Sequence, residues 1–290
     1  MIECLNFGAG VQSTTLLLLS CKGLLPKLDR AIFADTQWEP AAVYRHLEWC
    51  KEHASKHGIQ IDVRTAGNLR QDLIDFWGPK RASADGKRHA SIPAFVKNPD
   101  GSKGIVNRQC TSAYKIDVIE RWLRQEVLGL KFRERWPLAC KVRQWIGISA
   151  DEPQRMKRST RPAFTFWHPL IEADAIAKND HKSLFARGWT RQDCLEWIAS
   201  RGYPTPPRSA CIGCPFHSNG EWGNLTAEEL ADACEVDDLI RQGNAERKPG
   251  QLIGQPFLHS SLIPLREIDF GNARENEIGW SDECGGVCGG

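Results

Sequence analysis

Apolar and polar positions divide the first third of the chain into short alternating strands and amphipathic helices. Ile2-Glu3-Cys4-Leu5-Asn6-Phe7 is a strand-like run that ends in Gly8-Ala9-Gly10. Thr14 to Leu19 begins a buried helix, which Lys22-Gly23 closes. Arg30-Ala31-Ile32-Phe33-Ala34 is a second apolar strand, with Asp35-Thr36 at its carboxyl end. Pro40 suits the first turn of a helix that runs to about His57, with Val43, Leu47 and Cys50 or Trp49 on its apolar stripe. Gly58 ends it, and Ile59-Gln60-Ile61-Asp62-Val63 alternates as a third strand. Strand, helix, strand, helix, strand predicts a parallel α/β sheet.

Further along, residues 78–104 are rich in Gly, Pro, Ser, Lys and Arg, which predicts a long loop of the kind used as a lid. A helix is expected from about Ser112 to Val127, and a central strand from Val142 to Ile148, followed by the polar stretch Ser149 to Thr160. Thr190 with Asp193 and Thr226 with Glu229 are capping-box pairs that start two more helices. Beyond about Gly243 the chain is rich in Gly, Asn and Pro and ends in Cys284-Gly-Gly-Val-Cys288-Gly-Gly.

Composition narrows the class. With 290 residues, 41% hydrophobic and 26% charged, the chain can bury a large core and is not wholly disordered. The net charge of +2 carries no global nucleic-acid signal. No apolar run approaches a membrane span, and Met1-Ile2-Glu3 lacks the basic start of a signal peptide, so a cytoplasmic protein is expected. In a reducing compartment, 11 cysteines point to metal or redox chemistry rather than to disulfides.

Gly8-Ala9-Gly10-Val11-Gln12-Ser13-Thr14 joins a strand to a helix. Small residues let the backbone approach a ligand, and the helix start offers free N–H groups and a positive dipole end. Ser13 and Thr14 add hydroxyls. This is an anion cradle, although it is neither a Walker A loop nor a dinucleotide fingerprint. Its plainer alternative is a tight turn. Asp35 lies where open α/β sheets place ligands and could touch a ribose or a metal ion; its alternative is a helix cap.

The combination resembles the adenine-nucleotide α-hydrolase superfamily, the PP-loop ATP pyrophosphatases, and within it the phosphoadenosine phosphosulfate (PAPS) reductase family. Phe7–Thr14 is similar to that family's Ser-Gly-Gly-x-Asp-Ser loop, and Phe33–Glu39 to its Asp-Thr-Gly-x-x-Phe segment. Arg108-Gln109-Cys110-Thr111-Ser112-Ala113-Tyr114-Lys115 resembles its Cys-x-x-x-Lys stretch. Gly147–Arg155 resembles its Gly-x-Arg-x-x-Glu-Ser segment, and Trp167–Leu170 its Pro-Leu segment. The segments are collinear over most of residues 1 to 220. Two positions depart: Gly8 stands at the first loop Ser and Gln12 at the loop Asp, which in the superfamily supports metal-assisted pyrophosphate release. That loss weighs against ATP hydrolysis more than against nucleotide binding.

Cys211-Ile212-Gly213-Cys214-Pro215 is a C-x-x-C unit able to hold one metal ion or cluster. Cys110, in the recognised segment, is the best third ligand, and Cys284 and Cys288 lie in a tail that could fold back. Such thiolates suit a [4Fe–4S] cluster or zinc, and the resemblance favours the cluster. Glu283-Cys284-Gly285 is also similar to the tail of sulfonucleotide reductases, in which the Cys attacks the substrate sulfur, so ligand and nucleophile compete as roles for Cys284 and Cys288. Cys4, Cys21, Cys50, Cys140, Cys194 and Cys234 read as small apolar residues. Lys80, Arg81, Lys87, Arg88, Lys103, Arg108 and Lys115 form a basic stretch that could hold phosphates or a nucleic-acid backbone. Arg108 and Lys115 flank Cys110, and Arg155 could pair with a phosphate. His217 is a weak candidate zinc ligand.

The expected architecture is a doubly wound, mostly parallel Rossmann-like sheet of the HUP type over residues 1–180, with a helical, Cys-bearing region over 181–290. The site would hold an adenine nucleotide, PAPS or ATP, with magnesium as a further option, on Gly8, Ala9, Gly10, Gln12, Ser13, Thr14, Asp35, Arg108 and Arg155. Lys115 and Cys284 would be catalytic, and Cys110, Cys211, Cys214 and Cys288 would ligate the metal. The resemblance implies sulfonucleotide reduction with a thiol reductant, or ATP-dependent thiolation of tRNA or DNA with a sulfur donor. A non-catalytic nucleotide- or nucleic-acid-binding module with structural zinc is the reading from another class. A homodimer stays open.

Overall fold

The computed structural model of the protein describes residues 1–77, 92–131, 133–172, 188–245 and 254–271. Its main sheet is parallel, with β1 (Ile2–Asn6) in the middle. β2 (Arg30–Asp35) and then β3 (Gln60–Thr65) lie on one side of it. β6 (Val142–Ile146) and then β7 (Phe164–Trp167) lie on the other. Cys4 pairs with Arg30 on one side and Gln144 on the other. The strand order reverses direction at β1 and β6, so the crevice beyond their carboxyl ends is a topological switch point.

Strand alternation distributes the core over two faces. Leu5, Phe33, Trp145 and Trp167 pack with α1 (Val11–Cys21), α2 (Ala41–Ser55) and α5 (Arg191–Ser200). Cys4, Ile32, Val142 and Phe164 pack with α4 (Asp117–Trp122) on the other. Helices therefore cover both faces, as a doubly wound α/β sheet requires. The inner strands β1, β2 and β6 are mostly buried and rich in apolar residues, whereas the edge strands β3 and β7 are partly exposed.

A third cluster lies around the carboxyl end of β2. Trp38, α3 (Leu69–Trp77), α6 (Asn219–Gly223) and α7 (Ala227–Ala245) contribute to it. Trp38 Nε1 donates to Asp232 Oδ2 at 2.6 Å, and Ala41 N donates to Glu229 Oε1 at 2.8 Å. Arg70 on α3 pairs with Asp232 and Glu235 on α7. No helix among the described residues is long and apolar enough to cross a membrane.

Of the long loop expected over residues 78–104, residues 78–91 lie outside the described residues, and the described part holds two short strands. Its segment β4 (Phe95–Lys97) pairs antiparallel with β5 (Lys103–Ile105) and with β8 (Gln255–Phe257), a strand supplied by the Gly- and Pro-rich C-terminal part. Three-residue strands carry too little alternation to be read locally. β7 and α3 also went unpredicted. The helix expected at Ser112 to Val127 is present, but π-helical turns at Ser112–Ile116 and Leu123–Val127 flank α4. Both capping boxes form, Thr190 with Asp193 and Thr226 with Glu229.

His46 on α2 is 6% exposed, 3.0 Å from Thr14 Oγ1 and 3.4 Å from Cys50 Sγ. Burial pushes its pKa down from 6.5 to about 4. The fold keeps this imidazole neutral, whereas the unfolded chain takes up the proton below pH 6.5, so stability falls as the pH drops from 6.5 towards 4. Burial also lowers His168 and His259, which act in the same direction. Urea titrations should show His46 alone removing about 2 kcal/mol between pH 7 and 5. The His46→Gln variant should have a correspondingly flatter pH dependence.

Candidate functional site at the carboxyl ends of β1, β2 and β6

The glycine loop turns directly from β1 into α1. Phe7 N donates to Ile32 O at 2.9 Å, and Ala9 takes a left-handed φ of 58°. Ser13 Oγ accepts from Gly8 N at 3.2 Å and donates to Gly10 O at 3.3 Å, so this hydroxyl holds the loop's own backbone. Gly10 is the N-cap and offers no side-chain cap, so the leading N–H groups of α1 lack that partner. Gly147, just after β6, passes so close that a Cβ there would lie 3.0 Å from Ser13 N. Thr14 turns its hydroxyl into the core, towards His46, and so does not present it at the loop mouth.

Gln12 is 1% exposed, and its Nε2 donates to Ser149 Oγ at 3.3 Å and Glu152 Oε1 at 2.9 Å. Glu152 is in turn paired with Arg155, which is itself buried. The polar stretch after β6 is thereby fastened to the loop after β1. Arg155 is in this wall, bound to a carboxylate.

A narrow cleft of about 10 Å³, room for a single water, lies between the ends of β1 and β2, lined by Asn6, Gly8, Phe33, Ala34 and Lys115. Asn6 Oδ1 is buried there without a hydrogen-bond partner. Lys115 is 6% exposed, and its Nζ stands 3.7 Å from Glu39 Oε1, which is also buried. Glu39 Oε1 accepts from Thr36 Oγ1 at 3.0 Å and from the Cys211 thiol at 3.5 Å. Thr36 Oγ1 is also 3.3 Å from Cys211 Sγ. Asp35 is used locally: its Oδ1 accepts from Gln37 N at 2.7 Å and Tyr44 Oη at 2.9 Å. Burial and the adjacent Asp35 push the Tyr44 hydroxyl pKa up, so Tyr44 remains a donor.

The cysteine segments converge on the same end. Ile212 N donates to Trp38 O at 2.9 Å, and Cys214 N to Cys211 O at 3.0 Å, which curls the C-x-x-C unit against the turn after β2. A Cβ on Gly213 would come within 2.1 Å of the Trp38 ring, so only glycine fits. Cys110 and Cys211 pack against the same apolar cluster as Trp38 and Trp222. The Arg108 guanidinium lies over the Phe216 ring, 5.2 Å from its centre, joining the two cysteine-bearing segments. His217 Nε2 lies 2.9 Å from Cys211 O, so that nitrogen is engaged in the turn.

Other expectations fall elsewhere. Lys103 donates to Ser260 O at 2.6 Å and covers the Phe95 ring, so it braces the small sheet. Lys80, Arg81, Lys87, Arg88, Cys284 and Cys288 lie outside the described residues. Cys140 is exposed rather than a buried apolar residue. Among the described residues, one set of three His, Cys, Asp or Glu ligand atoms lies within 4.8 Å of one another, and it is Cys21, His53 and His57. Cys110, Cys211 and Cys214 do not form such a compact set.

Sequence reasoning missed Glu39 as the partner of Lys115 and Asn6 as a cleft residue. The signal for each was a polar residue at the end of an apolar strand or just beyond it. No family model, curated protein or solved structure matches the chain.

Replacing Lys115 with Met should strand the Glu39 carboxylate in a buried site, at a cost of about 3–5 kcal/mol in urea unfolding. The double variant Lys115→Met/Glu39→Gln should recover most of that loss.

Proposed function

We propose that the protein is a PAPS reductase-like enzyme of the PP-loop, HUP-type class. It binds an adenine nucleotide at the glycine loop and performs sulfur chemistry beside a Cys-ligated [4Fe–4S] cluster. The observation that carries this reading is the meeting of the C-x-x-C turn, Lys115 and the glycine loop at the carboxyl ends of β1 and β2.

The resemblance favours a cluster over zinc. Zinc draws its ligands to one ion, whereas a [4Fe–4S] cluster gives each thiolate its own iron, so the sulfurs stand further apart. Cys110, Cys211 and Cys214 would hold it, leaving one iron for Cys288 or for substrate. Thr36 Oγ1 lies 3.3 Å from the Cys211 sulfur, and its hydroxyl, turned from Glu39 towards a thiolate, would make a contact of the kind that tunes cluster potential. When bound, the cluster supplies redox-active iron beside the substrate.

The chain's own residues position the nucleotide. The α1 N-terminus takes phosphate oxygens on backbone N–H groups at Gly10, Gln12 and Ser13. Lys115 presents its ammonium to the sulfonate, with Glu39 holding the side chain in place. Cys284 attacks the sulfonate sulfur. The S–O bond to the nucleotide breaks, an S–S bond forms, and a thiol reductant then supplies two electrons to release sulfite.

One observation favours the second reading, ATP-dependent thiolation of tRNA or DNA. Glu152 places a carboxylate 2.9 Å from Gln12, beside the position where an acidic loop residue is missing. It could take over support of a magnesium ion during pyrophosphate release.

Anaerobically purified protein should contain iron and acid-labile sulfide, both lost in Cys211→Ala, and should form sulfite from PAPS with a thiol reductant. Pyrophosphate released from ATP only when tRNA or DNA is added would select the second reading. Zinc without sulfide, and no nucleotide binding, would overturn both.

A further inference from the structure

Away from the switch point, α1 and α2 end side by side at the opposite edge of the same helical layer. Cys21 is the last residue of α1, His53 lies in the last turn of α2, and His57 follows one turn later. Their ligand atoms all lie within 4.8 Å of one another. From these residues we infer a separate binding site for a borderline-soft divalent ion of the zinc type, with two imidazoles and one thiolate from the protein and a fourth position open to water.

The side chains are arranged for this before any ion arrives. His53 is stacked on Trp49 at 5.2 Å and meets the Tyr203 ring edge-on at 5.3 Å, which fixes its orientation. Its Nε2 is buried and has no hydrogen-bond partner. A buried polar atom left unsatisfied calls for an explanation, and a metal ion would satisfy it. His57 Nδ1 lies 3.0 Å from the His53 carbonyl oxygen. When Nδ1 donates there, the tautomer is set and the Nε2 lone pair faces outward, the arrangement that metal-bound histidines use. His57 is exposed, so water can reach the ion. Bonds of about 2.0–2.3 Å would hold tetrahedral ligand atoms under about 4 Å apart, so closing the set asks for shifts of about 1 Å.

The electrostatics act both ways, because the Lys22 and Lys56 charges that keep His53 unprotonated also repel a cation. Burial, His57, Lys56 and Lys22 all lower the His53 pKa, which keeps the imidazole unprotonated near neutrality. Burial raises the Cys21 thiol to about 11, so the ion must displace a proton as it binds. The bound ion would join the ends of two neighbouring helices. This site shares no residue with the proposed nucleotide site, and its readout is the cobalt equivalent lost on changing Cys21 or His57, which cobalt held by the C-x-x-C thiols would not lose.

The test uses cobalt(II) as a spectroscopic probe on the metal-free full-length chain. A thiolate-to-cobalt charge-transfer band should develop, and zinc should abolish it. Cys21→Ala and His57→Ala should each remove the same single equivalent of cobalt, and the double variant should remove no more. Each single loss should exceed the roughly 10–100-fold weakening that changes in outer-shell partners cause. His57 is exposed, so its variant should keep the wild-type circular dichroism spectrum. Full cobalt uptake in His57→Ala, or a charge-transfer band unchanged in Cys21→Ala, would place the ion elsewhere and overturn the inference.

Discussion

The structure depends on the pairing of β1 with a parallel neighbour on each side. Cys4, Leu5 and Asn6 lie in register with β2 on one side and with β6 on the other, and alternate residues bond to each neighbour, so the strand is enclosed on both edges as well as both faces. A strand enclosed in this way satisfies every backbone group only within the sheet. It also forces the chain to leave the sheet at Phe7, at the point where the two halves diverge. The glycine loop, the turn after β2 and the loop after β6 meet there because the sheet topology brings three carboxyl ends together.

Around that point, polar side chains do structural work that also shapes a site. Gln12 locks the loop after β6 to the loop after β1 through Ser149 and Glu152. Lys115 and Glu39 are buried as a pair, and such pairs are worth little in net stability while being costly to break. Their presence at the mouth of a cleft, with the Asn6 oxygen unsatisfied, is hard to account for by packing alone. The π-helical turn at Ser112–Ile116 carries Lys115 towards that cleft, and such turns recur at functional positions.

The cysteines divide into groups by environment rather than by number. Cys4, Cys50 and Cys194 fill the apolar layers, and burial raises the thiol pKa of Cys4 and Cys50 to about 12, so they are inert. Cys211 faces a hydroxyl and a carboxylate at the sheet's ligand end. Cys21 faces two imidazoles at the far end of α1. A Cys count read from composition treats these three environments as one.

The sequence by itself determined the alternating α/β class, the three N-terminal strands, the glycine loop and both capping boxes. Each is set by contacts between residues close in the chain: a side-chain period, a turn residue, a cap three positions from its partner. It also marked Lys115, Cys211 and Cys214 as chemical candidates, because their spacing is local. Only the tertiary structure decided which residues meet. It paired Lys115 with Glu39, set Arg108 over Phe216, turned Thr14 inward, and joined residues 95–97 to 255–257. It also moved Cys21 from the apolar group into a candidate metal site with His53 and His57. These contacts join segments tens to more than a hundred residues apart, and their free energy comes from burying both partners at once. No local pattern encodes that, so the long-range half of each site became readable only in the folded chain.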